Sequence, residues 1–582
     1  MLSQALEVFK KEYEEKGDEF ILGTYIPADG TYVVVKPNNN DFIIEDSIDI
    51  KLDKKTGTID RTINNIDFIC FADYYSKVTD MNKAILPSGG KVIQGNNYLS
   101  FIIKKDSLTN GKLTIDIIDK YYSVLENPRL KYSQKPKALE LYELAERKVG
   151  EVDKDRLNKI KTWIKENLFE KFKELNGKDY LKIFFYYPAE DYKKESERYF
   201  IPNIYNSNDY NGKSDNIIYG LPNDNMGLNS KKPYLENKTR KVSVPYLIDQ
   251  EEVMCQKKFF DYLMNQASSG KVNIYIGNEI NPLNNKESLD KEFNGIFLRL
   301  KKGKEVEIQD YDIVCNYNPN LKKVFEYENI IGVDYEKLNA KYGLIKTLKG
   351  MHETINEVMF SKFLSSNYFT EPGDISINDG TLKSNLLICR TALFNWFYKG
   401  NYKNIWKLLN KVSLSLVKGS IENGYFTKAT DQFNLRLSLK EYFEGGEEMA
   451  DVIFEVKNNL RNKISQKDTS FIENDREYFF AVGQLVSFFI SRSKGKKKPL
   501  SLANPFVNAK KDQVIKEKLK ALYKKYNYDI ESYNFKFKGL YAMIMSYEVD
   551  GKIDEDMIIA GYLHSNLLYE KEQENKEVEI NE

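Results

Sequence analysis

GLIKTLKGMHETINEVM, residues 343–359, is where the apolar period of the chain changes from two to 3.6. Leu344, Leu348, Met351, Ile355 and Met359 recur three or four positions apart, the spacing of one helix face. The same period continues beyond it. Met449, Val452, Ile453, Val456 and Leu460 form a second stripe, and Val482, Leu485, Val486 and Phe489 a third. Ile515, Leu519, Leu522 and Tyr526 form a fourth. Amphipathic helices joined by short polar breaks bury such stripes against one another. Residues 341–448 are therefore predicted as a helical connecting region and 449–582 as a C-terminal helical bundle.

N-terminal of residue 340 the pattern differs. TYVVVKP (31–37), IDFICFADYY (66–75), YLSFIIKK (98–105), LKIFFYYP (181–188), KVNIYIG (271–277) and GIFLRL (295–300) have the β-branched and aromatic content of strands. Gly, Asn and Pro clusters punctuate them. The opening MLSQALEVFKKEYEEKG reads as an amphipathic, charged helix without a signal-peptide core. The stretch 136–175, dense in Glu and Lys, is also helical. Residues 1–340 are thus a mixed α/β region, and the fold class is α+β. The polar segment 203–241 is longer than most loops in a folded region, and loops of that length tend to be functional or disordered.

A chain of 582 residues is too long for one core, and 41% hydrophobic with 13% aromatic residues supplies material for several. Lys and Arg number 87 against 86 Asp and Glu, so any polyanion-binding surface has to be local. The longest apolar run, 479–490, is too short to cross a bilayer and contains Gln484 and Ser487. It is predicted as a buried helix, and no membrane partner is expected. Cys70, Cys255, Cys315 and Cys389 lie far apart without metal-ligand spacing. They suit a reducing, cytoplasmic setting.

A catalytic constellation is hard to assemble from these residues. The only two histidines, His352 and His564, each sit in a helical pattern. No phosphate loop, dinucleotide fingerprint or HExxH motif occurs. Glu444-Gly445-Gly446-Glu447-Glu448 resembles the acidic turn of polymerase palms, but that turn needs flanking strands to aim both carboxylates at one cation. The following MADVIFEVKNNL has helical spacing, so a helix–loop–helix junction is predicted, with no catalytic residue, cofactor or metal. A metal-dependent nuclease or polymerase-like enzyme using Glu447 and Glu448 is the alternative.

Two segments carry a nucleic-acid signal. MGLNSKKPYLENKTRK (226–241) places Asn229, Lys231, Lys232, Lys238, Arg240 and Lys241 in a Gly/Asn/Pro-containing loop suited to phosphates and base edges. SRSKGKKKPL (491–500) offers Arg492, Lys494, Lys496, Lys497 and Lys498. Across 491–540 there are 14 Lys and Arg against 4 Asp and Glu, an electrostatic footprint for a polyanion.

These segments also resemble a known family. The 226–241 loop followed by VPYLID (244–249), DYYSKVTDMNKAI (73–85) continuing into GKVIQGNNYLSFIIKKDSL (90–108), EYFFAVGQLVSFFISRSKGKKKPLSLANPFVNAKK (477–511) and IIAGYLHSNLLYEK (558–571) look like the large subunit of type I-B CRISPR–Cas surveillance complexes (Cascade). The resemblance implies a non-catalytic subunit of an antiviral assembly in which CRISPR RNA reads double-stranded target DNA by pairing. The subunit senses the protospacer-adjacent motif (PAM) and supports unwinding and R-loop formation. Its implied partners are repeat-associated backbone subunits, a small subunit and a recruited helicase–nuclease. PAM sensing is expected in the N-terminal region, through the 226–241 loop or a second polar loop with Lys91, Asn96 and Asn97, with Lys83 a further candidate. The five basic residues of 492–498 are expected on the DNA backbone. In such systems the small subunit is commonly translated from inside the large-subunit gene. The Gly-Gly-Glu-Glu spelling before Met449 in an AT-rich gene fits an internal ribosome-binding sequence, giving a product of residues 449–582.

Overall fold

The computed structural model describes every residue except 40, 54–56, 80, 88–89, 216, 223–246, 304, 333–341, 447, 467–469, 494–499, 531–533 and 571–582. The chain forms two compact units: Met1–Asn284 with Asn294–Ile313, and Asn285–Phe293 with Val314–Glu582. The expected boundaries at 340 and 448 both fall inside the second unit.

The first unit is built on a four-stranded sheet of β1 (Gly30–Asn38), β2 (Asp41–Ile50), β3 (Ser100–Lys104) and β4 (Tyr180–Phe185), in the order β2-β1-β4-β3. β1 runs antiparallel to β2 and parallel to β4, and β3 is antiparallel to β4. Val33, Val34, Val35, Ile183, Phe184 and Phe185 are all fully buried, so both faces of the central strands are covered. That is why they read as continuous apolar runs instead of alternating ones. Helices Ile66–Tyr74, Ile115–Glu126, Lys154–Lys171 and Ala189–Asn203 share this core. A small antiparallel sheet of β5 (Gly212–Ser214), β6 (Ile217–Gly220) and β7 (Ile248–Asp249) precedes the long helix Gln250–Ser268. A further sheet takes β8 (Asn273–Ile276), β9 (Ile280–Leu283), β10 (Phe293–Lys302) and β11 (Val306–Tyr317) in the order β11-β10-β8-β9.

One strand expected from composition is a helix. Residues 66–75 were rich in apolar and aromatic types, yet Ile66–Tyr74 is α-helical. Ile66, Ile69, Cys70, Ala72, Asp73 and Tyr74 are all buried, leaving Asp67 as its one exposed residue. A short helix enclosed almost all round shows no polar stripe, so periodicity cannot separate it from a buried strand.

The second unit begins with β12 (Asn320–Tyr327) and β13 (Gly343–Thr347), an antiparallel pair, and continues as helices. The stripe through 344–359 starts one turn later than predicted. Leu344 lies in β13 and is 62% exposed, and the helix opens at Leu348 with the Thr347 hydroxyl accepting from the Gly350 amide. The later stripes are buried faces of Met449–Ser465, Asp475–Ser491 and Asp512–Tyr526. These helices share one core with Phe535–Ser546, Glu555–Leu563 and, from before residue 449, Val417, Ile421, Ala429, Phe433 and Leu437. Gly445 and Gly446, both at positive φ, turn the chain between helices Phe426–Glu444 and Met449–Ser465. Among the described residues no helix is long and apolar enough to cross a membrane.

Candidate nucleic-acid interface

The helix Asp512–Tyr526 presents a basic surface. Ile515, Leu519, Leu522 and Tyr526 bury one side of it. Lys518, Lys520, Lys524 and Lys525 are exposed on the other, with Glu517 the one carboxylate among them. No carboxylate pairs with any of these four lysines among the described residues, whereas Lys516 is taken by Asp512 at 3.1 Å and Lys510 by Glu555 at 2.7 Å. From Lys518 to Lys525 the face covers about 10 Å of helix axis, over which duplex DNA presents about six phosphates. Tyr523 flanks the face, its ring 5.8 Å from Phe537 and 5.0 Å from Tyr541. Tyr528, just beyond the helix, is 67% exposed. An array of ammonium groups beside an exposed aromatic suits phosphates and unstacked bases.

Arg492, at the start of the basic run, is half-engaged. Its guanidinium lies 4.7 Å from the Phe488 ring centroid and 5.5 Å from that of Tyr569, with Asp529 at 3.8 Å. Lys494, Lys496, Lys497 and Lys498 lie outside the described residues, as do Asn229, Lys231, Lys232, Lys238, Arg240 and Lys241.

The remaining expected contacts are placed differently from the sequence reading. Asn96 and Asn97 are 2% and 0% exposed, not loop residues open to a duplex. The Asn97 amide donates to the Tyr192 carbonyl at 3.1 Å while its oxygen accepts from the Leu99 amide at 3.0 Å. The Asn96 amide donates to the Lys77 carbonyl. Asn in a turn before a strand serves equally as a backbone cap or a surface contact, and here both side chains are caps. Lys83 donates to the carbonyls of Tyr205 and Asn206 at 3.1 and 3.2 Å, holding two segments together. Lys91 is partly exposed. In the sequence the lysines of 512–526 stand out only as part of the basic window 491–540. The 3.6 period of the apolar stripe, read in reverse, is the signal that puts Lys520 and Lys524 opposite the buried side and Lys518 and Lys525 on its exposed flank.

The histidines and carboxylates do not converge. His352 packs among Tyr368, Phe397 and Tyr398, and burial pushes its pKa down to about 4. Burial, helped by the charge of Lys457, pushes His564 to about 4 as well. Among the described residues no three His, Cys, Asp or Glu side chains form a group able to hold a metal ion. No protein-family profile, curated protein or solved structure matches the chain.

Proposed function

We propose that this chain is the large, non-catalytic subunit of a type I-B CRISPR RNA-guided surveillance complex, sensing the PAM in duplex DNA and supporting R-loop formation. The family reading rests on the four sequence stretches 73–108, 226–249, 477–511 and 558–571, in their order and spacing. The observation that carries a nucleic-acid role is the exposed face of Lys518, Lys520, Lys524 and Lys525, which carries no paired carboxylate among the described residues. In the sequence it lies in the same basic window, 491–540, as the run 492–498, within a chain of formal net charge +1, so the positive charge is concentrated and not general.

Replacing all four lysines by Ala should weaken target-DNA binding by the assembled complex without changing PAM preference. The slope of log affinity against log salt should flatten by up to about 3.6, at about 0.9 per lost phosphate contact. An unchanged slope would remove this face from the DNA path. Lys231→Ala with Lys232→Ala should instead weaken binding selectively on PAM-containing duplex. Equal losses with and without a PAM would rule out sensing by that loop.

A further inference from the structure

The first unit carries a half-open cavity of about 210 Å³ whose charges do not balance. Its walls come from the segment after helix Ile66–Tyr74, which supplies Lys77 and Thr79, and from helix Gln250–Ser268, which supplies Lys257 and Asp261. Both nearby carboxylates are committed. Asp73 is held by Lys182 at 2.6 Å and by the Tyr25 hydroxyl at 2.8 Å. Asp261 pairs with Lys257 and accepts from the Tyr74 hydroxyl at 2.9 Å. Lys77 is left over. Its ammonium sits 4.3 Å from the centroid of the Tyr25 ring and makes no hydrogen bond or ion pair among the described residues. Beside it the Thr79 hydroxyl oxygen is buried without a hydrogen-bond partner.

A sunken ammonium with no counter-ion is costly, and a ring face offsets that cost only in part. Burial accordingly pushes the Lys77 pKa down to about 8, with Asp73 and Asp261 pulling upward and Lys182 and Lys257 pushing further down. An anion entering the cavity would pair with the surplus charge, and a turn of the Thr79 side chain would let its hydroxyl donate to the same anion. The volume equals that of about seven waters, room for a tetrahedral oxyanion with part of an attached group. Phe200 and Met264 supply apolar wall for that group.

We propose that this cavity binds a phosphate monoester, its oxygens on the Lys77 ammonium; the Thr79 hydroxyl, buried as it stands, joins them on a turn of its side chain toward the cavity. The monoester comes from a free mononucleotide or from the phosphorylated end of a nucleic acid. The site is independent of the lysine face, so the two can fail separately.

The test uses the full chain with four probes: inorganic phosphate, adenosine 5′-monophosphate, and one oligonucleotide with a 5′-phosphate or a 5′-hydroxyl. Phosphate and the monophosphate should raise the melting temperature and bind in calorimetry. Lys77→Met should weaken both by about tenfold or more, the loss of a charge-assisted contact. Lys77→Met should also melt higher than the parent chain when no phosphate is present, because it removes a half-buried charge that has no ion pair among the described residues. Thr79→Val gives a milder loss and serves if Lys77→Met folds poorly. Binding should weaken as pH rises above about 8, where the ammonium loses its proton; the groups facing it are Asp73, Asp261, Lys182, Lys257, Tyr25 and Tyr74. A Lys77-dependent preference for the 5′-phosphorylated oligonucleotide assigns the source to a nucleic-acid end, and binding of the mononucleotide alone assigns it to a free nucleotide. No binding of any probe, or equal binding by both variants and the parent chain, would overturn the proposal. Duplex binding through the lysine face should be unaffected by Lys77→Met.

Discussion

Asp73 is the carboxylate on which the polar interior of the first unit depends. It is fully buried, 2.6 Å from the Lys182 ammonium, and accepts from the Tyr25 hydroxyl. Burial alone would raise its pKa, but the charges of Lys182 and Lys77 and the two hydrogen bonds outweigh it and hold it below the usual carboxylate range. Asp73→Asn keeps the shape while leaving Lys182 buried without a counter-charge. The expected loss is about 3–5 kcal/mol, read as a lower urea midpoint with unchanged slope. A folded-state pKa below the unfolded one gives stability that is fully present above about pH 4 and fades as pH falls through the folded value. The gap between parent and variant should therefore narrow in acid, and a gap constant from pH 6 to 3 would contradict the pairing. None of this was legible in FADYYSK, where Asp73 looks like any polar residue of an element. The pairing joins residues 109 positions apart, and such a partner leaves no local trace. Asn96 and Asn97 failed for a related reason: the backbone groups that their side chains cap belong partly to distant Tyr192 and Lys77.

At the level of elements, periodicity was enough where one helix face meets water. The stripe Ile515, Leu519, Leu522, Tyr526 reappears unchanged as the buried side of its helix. It was not enough for 66–75, enclosed almost all round, or for close contacts between helices. Helices Asp475–Ser491 and Glu555–Leu563 approach through glycine. A Cβ at Gly483 would stand 2.2 Å from the Ile558 carbonyl oxygen, and one at Gly561 2.1 Å from that of Phe480. Gln484 locks the same contact, donating to the Gly561 carbonyl at 2.6 Å and accepting from the Leu567 amide at 2.8 Å. Two effects compete in a Gly→Ala change here. Helix propensity favours Ala by about 1 kcal/mol, while forcing backbones apart costs about 1–3 kcal/mol or more. Backbone cannot rotate away as a side chain can, so Gly483→Ala and Gly561→Ala should each destabilise. Gly539, within helix Phe535–Ser546, has nothing within 4 Å of its Cβ position, and Gly539→Ala should stabilise by up to about 1 kcal/mol. The three urea midpoints decide the matter; a drop for Gly539→Ala or a rise for the other two would show that the packing is not as described.

For the whole molecule, the change from strand-rich to helical sequence was legible, but the division into units was not, because cores are shared across positions that look like breaks. Residue 448 is the instructive case. We propose that an internal start at Met449 yields a separate protein of residues 449–582, yet in the full chain this segment leans on what precedes it. Val417, Ile421, Phe433 and Leu437 lie in its core, and Lys418 pairs with Glu555 at 2.7 Å. Arg436 donates to Asp556 at 2.8 and 3.1 Å, with both side chains buried. Burial would raise the Asp556 pKa, but Arg436 and Lys440 bring it below the ordinary carboxylate value. If the short product is made, the same carboxylate would have different roles in the two chains. In the full chain Asp556→Asn strands a buried guanidinium and should cost about 3–5 kcal/mol. In residues 449–582 alone, Arg436 and Lys440 are absent and Asp556 would face the solvent that replaces them, so the substitution should change stability by about 0.5 kcal/mol at most. Synonymous codons at Gly445 and Gly446 that abolish the short product allow the full chain to be made without it, and an engineered start at Met449 supplies the short one. Urea midpoints of the four proteins then give the two costs. Equal costs would mean that 449–582 does not use Arg436 as its anchor in the full chain. A short product never detected from the native gene by a C-terminal antibody would remove the internal start.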